Sequence, residues 1–371
     1  MAIKKIPIQE FLQLSKEQPV LDVRSPGEFL QAHIPGAVSL PLFTDEERKV
    51  VGTTYKQKSR EAAIKIGLDY FGVKMRKMVE ETEEIVSGIK AKGDRQTIDC
   101  NPDSYREPTV LVHCWRGGMR SAGVAWLLDL YGFKVYTLVG GYKAYRHWVR
   151  QQFDHSYNFG IIGGYTGSGK TLVLKELQRL GKPVIDLEAL ACHKGSAFGA
   201  FGEAEQPRQE MFENLLAKEL SRYAGENMNG ERIFVEDESH RIGNLNIPLN
   251  LWTHMRNCPV YFLDIPFEQR LDYITVEYGK FEKEKLVNAI IRIQKRLGGQ
   301  ETKNAINFLI EGDVKECFRI LLKYYDKWYS KGLHNRENLS ALLNKIPSAG
   351  VDTVSNAQNI VNATSLAEKT F

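Results

Sequence analysis

The stretch His113–Ser121, HCWRGGMRS, sets one cysteine at the end of the apolar run Val110–Val112 and just ahead of two glycines flanked by Arg116 and Arg120. A strand that delivers a cysteine into such a loop, with a helix starting at once, turns backbone N–H groups toward a single point. Those donors, the helix N-terminus and a guanidinium all favour negative charge there. The surroundings lower a thiol below its free value of about 8.5 and produce a thiolate at neutral pH. The same cradle binds the anion that a thiolate attacks. Cys114 is the candidate nucleophile, with Arg116 and Arg120 as its anion-binding partners.

A second loop, Gly164–Thr171, reads GYTGSGKT and satisfies G-x4-G-K-T. It follows one predicted strand and opens one predicted helix, the context in which this pattern binds phosphates. Gly164, Gly167, Ser168 and Gly169 shape a ring of N–H donors for a pyrophosphate; Lys170 neutralises it, and Thr171 is placed for Mg²⁺. The acidic partner should end a nearby strand, and Asp186, Glu236, Asp237 and Glu238 are the candidates. The loop specifies a pyrophosphate and leaves ATP and GTP open, because no adenine-reading element is visible.

The elements that must position these loops alternate. PVLDVRS, AVSL, TVLVHC and KVYTL read as strands, with helices after the cysteine loop and after the second glycine turn. A Lys-, Glu- and Ala-rich segment with helical spacing, about 45–100, interrupts them. The series restarts with YNFGIIGG and continues through KPVI, RIFVEDES and PVYFLDIP, then turns helical from Phe267 to Leu333. The pattern predicts an α/β chain of two parallel sheets: residues 1–153 with a helical insertion, then 154–346 carrying the phosphate loop and a helical C-terminal part. The Ser/Asn/Ala/Thr-rich tail, 347–371, reads as disordered.

Composition is that of a globular protein: 43% hydrophobic and 26% charged residues over 371 positions. No apolar run approaches the ~20 residues of a membrane span, and MAIKKIPIQEF lacks the apolar core of a secretion signal. The five cysteines (Cys100, Cys114, Cys192, Cys258 and Cys317) are scattered, with no metal-binding spacing. That pattern predicts reduced thiols in the cytoplasm and no structural zinc. Net charge is +4, about +5 of it in residues 1–150 and about −1 in the rest. This balance leaves a small folded RNA open as a partner. Lys143, Arg146 and Arg150, with Lys56, Lys58, Arg60, Lys74, Arg76 and Lys77, are candidate phosphate contacts. Trp115, Tyr142 and Trp148 are candidate surfaces for an unstacked base, although packing is the ordinary fate of such aromatics.

LDVRSPGEFLQAHIPGAVSLP resembles the early motif of rhodanese (sulfurtransferase) domains, with Asp22, Arg24, Glu28, His33, Pro35 and Gly36 in the matching places. Cys114 sits where rhodaneses carry a persulfide. Simple sulfurtransferases commonly have a loop one residue shorter, and C-x5-R is the spacing of cysteine phosphatases. Sulfur transfer and phosphate-ester hydrolysis therefore both stay open on spacing. A phosphatase also needs an acid for the leaving group, and the sequence places none.

From Lys4 to Ile346 the chain resembles the bacterial tRNA 2-selenouridine synthases, through LPLFTDEERKVVGTTYKQ, HCWRGGMRS, GGYTGSGKT, DLEALACHKGSAFG, QPRQEMFEN and EDESHRIGNLNIP. The resemblance implies a tRNA carrying 2-thiouridine at the wobble position as substrate. Geranyl diphosphate would alkylate its sulfur, and selenium from selenophosphate would then replace the S-geranyl group. It implies no bound organic cofactor, and it leaves a selenophosphate-producing enzyme as a candidate partner. Cys114 is expected to attack the selenium of selenophosphate, expel phosphate and hold a perselenide, with Arg116 and Arg120 gripping the phosphoryl group. Other readings are an ATP-dependent sulfurtransferase or kinase acting on tRNA, a C-x5-R phosphatase with a nucleotide-binding domain, and a non-catalytic tRNA-binding module.

Overall fold

A computed structural model describes residues 3–93, 108–224 and 231–368. Cys100 and the 94–100 end of the expected insertion lie outside the described residues. The chain divides into two compact units, Met1–Gln151 and Gln152–Phe371.

The first unit runs β1 (Lys4–Ile6), α1 (Ile8–Leu14), β2 (Val20–Asp22), α2 (Pro26–Gln31) and β3 (Val38–Ser39). Three helices follow, α3 (Asp45–Gln57), α4 (Arg60–Gly72) and α5 (Met75–Gly93). Then come β4 (Thr109–His113), α6 (Met119–Tyr131), β5 (Lys134–Leu138) and α7 (Gly141–Gln152). The strands form a parallel sheet in the order β1-β5-β4-β2-β3. Val110, Leu111 and Val112 are fully buried, as expected of a strand covered on both faces. The insertion belongs to this core: Phe71, Met78, Val79 and Val86 pack with Leu21, Val110 and Val112. Its first helix opens on a reciprocal cap, in which the Glu47 N–H donates to Thr44 Oγ1 (3.2 Å) and the Thr44 N–H to Glu47 Oε2 (2.8 Å).

The second unit runs β6 (Phe159–Gly164), α8 (Lys170–Arg179), β7 (Val184–Ile185), α9 (Leu187–Ala191), α10 (Gln209–Ser221) and β8 (Ile233–Glu236). A short antiparallel pair, β9 (Arg241–Ile242) and β10 (Leu245–Asn246), precedes α11 (Leu249–Arg256) and β11 (Val260–Asp264). Four helices follow: α12 (Phe267–Gly279), α13 (Lys283–Leu297), α14 (Gly299–Glu311) and α15 (Val314–His334). The chain closes with α16 (Leu339–Leu342), β12 (Leu343–Pro347) and α17 (Thr353–Glu368). The main sheet is parallel, in the order β12-β11-β6-β8-β7. No helix among the described residues is long and apolar enough to cross a membrane.

The expected disorder of the tail is corrected over residues 347–368. Strand β12 pairs with β11 from Leu343 to Pro347, and α17 buries Ala357 and Ile360 in the core with Leu174, Leu177 and Tyr261. Ala357, Ile360, Val361 and Thr364 recur at the spacing of one helix face, and a Ser/Asn/Thr-rich composition conceals that stripe.

Candidate active site

Both loops leave the carboxyl ends of inner strands, β4 and β6, where parallel sheets place their ligands. Strand β4 ends at His113, and the buried Cys114 opens a short loop, 114–118, that leads into α6. The loop is tied to the start of α7: the Tyr142 N–H donates to the Cys114 carbonyl (2.8 Å) and the Lys143 N–H to that of Trp115 (3.0 Å). Gly141, at φ +59°, makes this approach feasible, because a Cβ there would stand 2.3 Å from the Cys114 oxygen and 2.4 Å from the Gly117 nitrogen.

The Cys114 sulfur lies 3.2 Å from the Ser121 hydroxyl. Burial opposes ionisation most strongly. The Ser121 hydroxyl and N–H, the Arg116 N–H and the Arg120 charge outweigh it, and the thiol falls below its ordinary value. Arg120 is positioned by Glu28, whose Oε2 accepts from Nη1 at 2.7 Å. Glu28 also accepts from the Ser25 N–H at the start of α2 (3.1 Å), so one carboxylate caps a helix and orients the guanidinium. Arg116 is exposed and meets the sulfur through its backbone.

Beneath the loop, the register of β2 and β4 sets Asp22 beside His113, with 3.7 Å between Oδ2 and Nε2. Asp22 is buried and accepts from Arg24 Nη2 at 2.6 Å; Arg24 in turn lies 3.8 Å from the centre of the Tyr142 ring. Although burial pushes the Asp22 carboxyl up, the neighbouring His113 and the Arg24 contacts bring it below the usual carboxylate range. Burial drives His113 down to about 4, so it is neutral near pH 7.

In the second unit, Gly164 ends β6 and Gly169, in the left-handed region, caps α8. Lys170 Nζ donates to the Gly164 carbonyl at 3.2 Å. Gly167 has φ +80°, and a Cβ there would stand 2.6 Å from Ile274 Cδ1 and 3.1 Å from the Arg270 carbonyl oxygen. Arg270 on α12 holds the loop from outside, donating to the Thr166 carbonyl (3.0 Å) while paired with Asp326 at 2.9 and 2.7 Å. Ser168 is buried, and its hydroxyl has no hydrogen-bond partner among the described residues.

The four candidate acids separate into different roles. Asp186 caps α9, accepting from the Ala189 N–H at 2.7 Å. Asp237 is engaged structurally: it accepts from the Tyr329 hydroxyl (2.6 Å) and from Arg336, and that tyrosine oxygen accepts the Gly164 N–H at 3.1 Å. Glu236 is buried and accepts from the Leu187 N–H at 3.0 Å. Burial, then Asp186 and Glu188, holds its carboxyl well above the ordinary range. Burial, then Glu188, likewise raises Glu238. Glu188, which no motif marked, accepts from the Thr171 hydroxyl at 2.6 Å. Thr171 therefore faces the Glu188 carboxylate, and among the described residues there is no group of three or more His, Cys, Asp or Glu side chains that could hold a metal ion by themselves.

Of the candidate RNA contacts, Lys143, Arg150, Lys56, Lys58 and Arg60 are exposed, and Trp115 is 38% exposed beside the cysteine loop. Arg146 and Tyr142 are corrected: both lie on the buried face of α7 rather than at the surface. Lys74 pairs with Glu47, Arg76 with Glu80 and Lys77 with Glu81, so that cluster is a neutralised helix surface.

Residues 8–147 match the rhodanese-like domain model, and residues 157–349 match the model of the tRNA 2-selenouridine synthase AAA domain. A tRNA 2-selenouridine synthase of Bdellovibrio bacteriovorus is 33% identical over 379 residues, covering 91% of this chain and 94% of that protein. The chain belongs to the tRNA 2-selenouridine synthase family. Another relative of that name, from Nitrosomonas europaea, is 39% identical over 267 residues, 71% of this chain and 64% of its own length. A third, from a Sulfurovum species, is 34% identical and covers 84% of this chain. In this family member the rhodanese-like match contains the Cys114 loop and the AAA match contains the Lys170 loop.

Proposed function

We propose that the protein converts 2-thiouridine at the wobble position of tRNA into 2-selenouridine by alkylation followed by exchange. A thiocarbonyl sulfur leaves poorly until it is alkylated. Geranyl diphosphate supplies that alkyl group, and its diphosphate is cradled by Gly164–Thr171 with Lys170 opposite the negative charge. Selenium from selenophosphate then replaces the S-geranyl group, with Cys114 activating the selenium donor. A selenophosphate-producing enzyme supplies the second substrate, and the cytoplasm is where tRNA and reduced thiols meet.

The observation that carries this reading is a thiol held toward its ionised form by Ser121, Arg116 and Arg120 at a strand end. The names of the relatives support selenium as the atom delivered and tRNA as the acceptor. The test is mass analysis of nucleosides from 2-thiouridine tRNA incubated with the protein and geranyl diphosphate, selenophosphate, or both. The reading expects a geranyl adduct with the first alone and a selenium-for-sulfur shift with both. Unchanged nucleoside under all three conditions contradicts it.

A further inference from the structure

We propose that Cys114 attacks the phosphorus of selenophosphate rather than its selenium, releasing hydrogen selenide and carrying the phosphoryl group as S-phosphocysteine. This rests on the reaction proposed above and specifies which bond the thiolate makes.

Electron counting favours phosphorus. Selenium in selenophosphate already has the oxidation level of selenide. Attack at selenium would form an S–Se bond only if phosphorus left with the bonding pair as phosphite. Release of phosphate together with a perselenide would need a two-electron oxidant, which neither substrate supplies. Attack at phosphorus balances unaided. The S–P bond forms, the P–Se bond breaks, and selenium takes the pair and leaves as HSe⁻. That anion attacks C2 of the S-geranylated uridine, and geranyl thiolate leaves. Water then attacks the phosphocysteine, phosphate departs, and the pair returns to the Cys114 sulfur.

The geometry serves this sequence. The Ser121 hydroxyl lies 3.2 Å from the sulfur, the N–H groups of Arg116 and Ser121 favour negative charge there, and Glu28 presents Arg120 at the far end of the C-x5-R ring. Such a ring of donors suits the oxygens of a phosphoryl group in flight. The Ser121 hydroxyl, 3.2 Å from Cys114 Sγ, stabilises that sulfur when it leaves as thiolate in the hydrolysis step.

The loop also selects its leaving group. Asp22 is bound by Arg24 and Glu28 by Arg120, both with lowered carboxyls, while His113 is neutral. None of these three is a proton donor near pH 7. Alkoxide needs a proton in order to depart, whereas selenide, the conjugate base of a much stronger acid, does not. The site is thus matched to phosphoselenoates and poor toward alkyl phosphates.

The test uses the full-length protein without tRNA, in excess over selenophosphate labelled either in phosphorus or in selenium, followed by rapid denaturation. The expected result is a phosphorus label on wild-type protein, absent from Cys114→Ala, with selenium free in solution. Ser121→Ala should lengthen the life of the phosphorus label roughly 10- to 100-fold, as loss of a hydrogen bond to a charged group implies. Selenium retained with phosphorus released overturns the proposal. So does retention of both labels, or of neither on wild type and Ser121→Ala alike. If selenium is retained while tRNA conversion still proceeds, this step falls and the overall function stands.

Discussion

The Ser121 hydroxyl lies 3.2 Å from the Cys114 sulfur and 3.1 Å from the Gly118 carbonyl oxygen, to which it donates. Its one proton can serve either neighbour. When Cys114 ionises, the hydroxyl can turn to the sulfur, so the thiolate is met by a donor already in place.

Thiol reactivity reports this arrangement. Cys114 should alkylate with its half-maximal rate at a lower pH than an ordinary thiol, and Ser121→Ala should move that midpoint up. Burial pushes Cys258 upward and Cys317 up to about 12, so both should stay inert across the same range. Peptide mapping after timed alkylation reads all three.

The buried His113 makes the first unit sensitive to acid. Its folded value is depressed to about 4 from an ordinary 6.5, so the unfolded chain binds the extra proton first. The stabilisation is complete above about pH 6.5 and declines as pH falls toward 4, by roughly 3 kcal/mol over that window. Thermal midpoints measured from pH 7 to 4.5 should show this fall, and His113→Gln should flatten it.

The C-terminal helix is structural. Ile360 on α17 is fully buried among Leu174, Leu177 and Leu263, so Ile360→Ala should lower the stability of the second unit by about 2–5 kcal/mol. Chemical unfolding followed by a probe in that unit measures it. A disordered tail would give no change.

Arg270 positions the phosphate loop through the Thr166 carbonyl without itself lying in the G-x4-G-K-T ring. Arg270→Met should raise KM for geranyl diphosphate about tenfold while changing kcat less. It should also cost about 1–3 kcal/mol of stability, because Asp326 is left without its partner. Lys170→Ala, by contrast, should depress both constants. Steady-state kinetics separates the two.

The sequence revealed what is local along the chain. Both anion loops are runs of under ten residues, and the β-branched strands before them carry their own signal. What stayed hidden depends on distant segments meeting. Glu28 reaches Arg120 across 92 positions, and Tyr329 on α15 and Arg336 just past its end close on Asp237. Such pairs are set by sheet register and helix docking, which no short window encodes. Arg146 and Tyr142 misled for a related reason: a basic or aromatic residue type does not say which face of α7 is covered. In the tail, three sparse apolar positions, Ala357, Ile360 and Val361, were masked by their polar neighbours.

Nucleoside mass analysis with Cys114→Ala, supplied with both geranyl diphosphate and selenophosphate, tests the account most directly. It predicts that 2-thiouridine tRNA accumulates as the S-geranyl nucleoside and gains no selenium. Formation of 2-selenouridine at the wild-type rate, or failure of geranylation in a variant that remains folded, would contradict it.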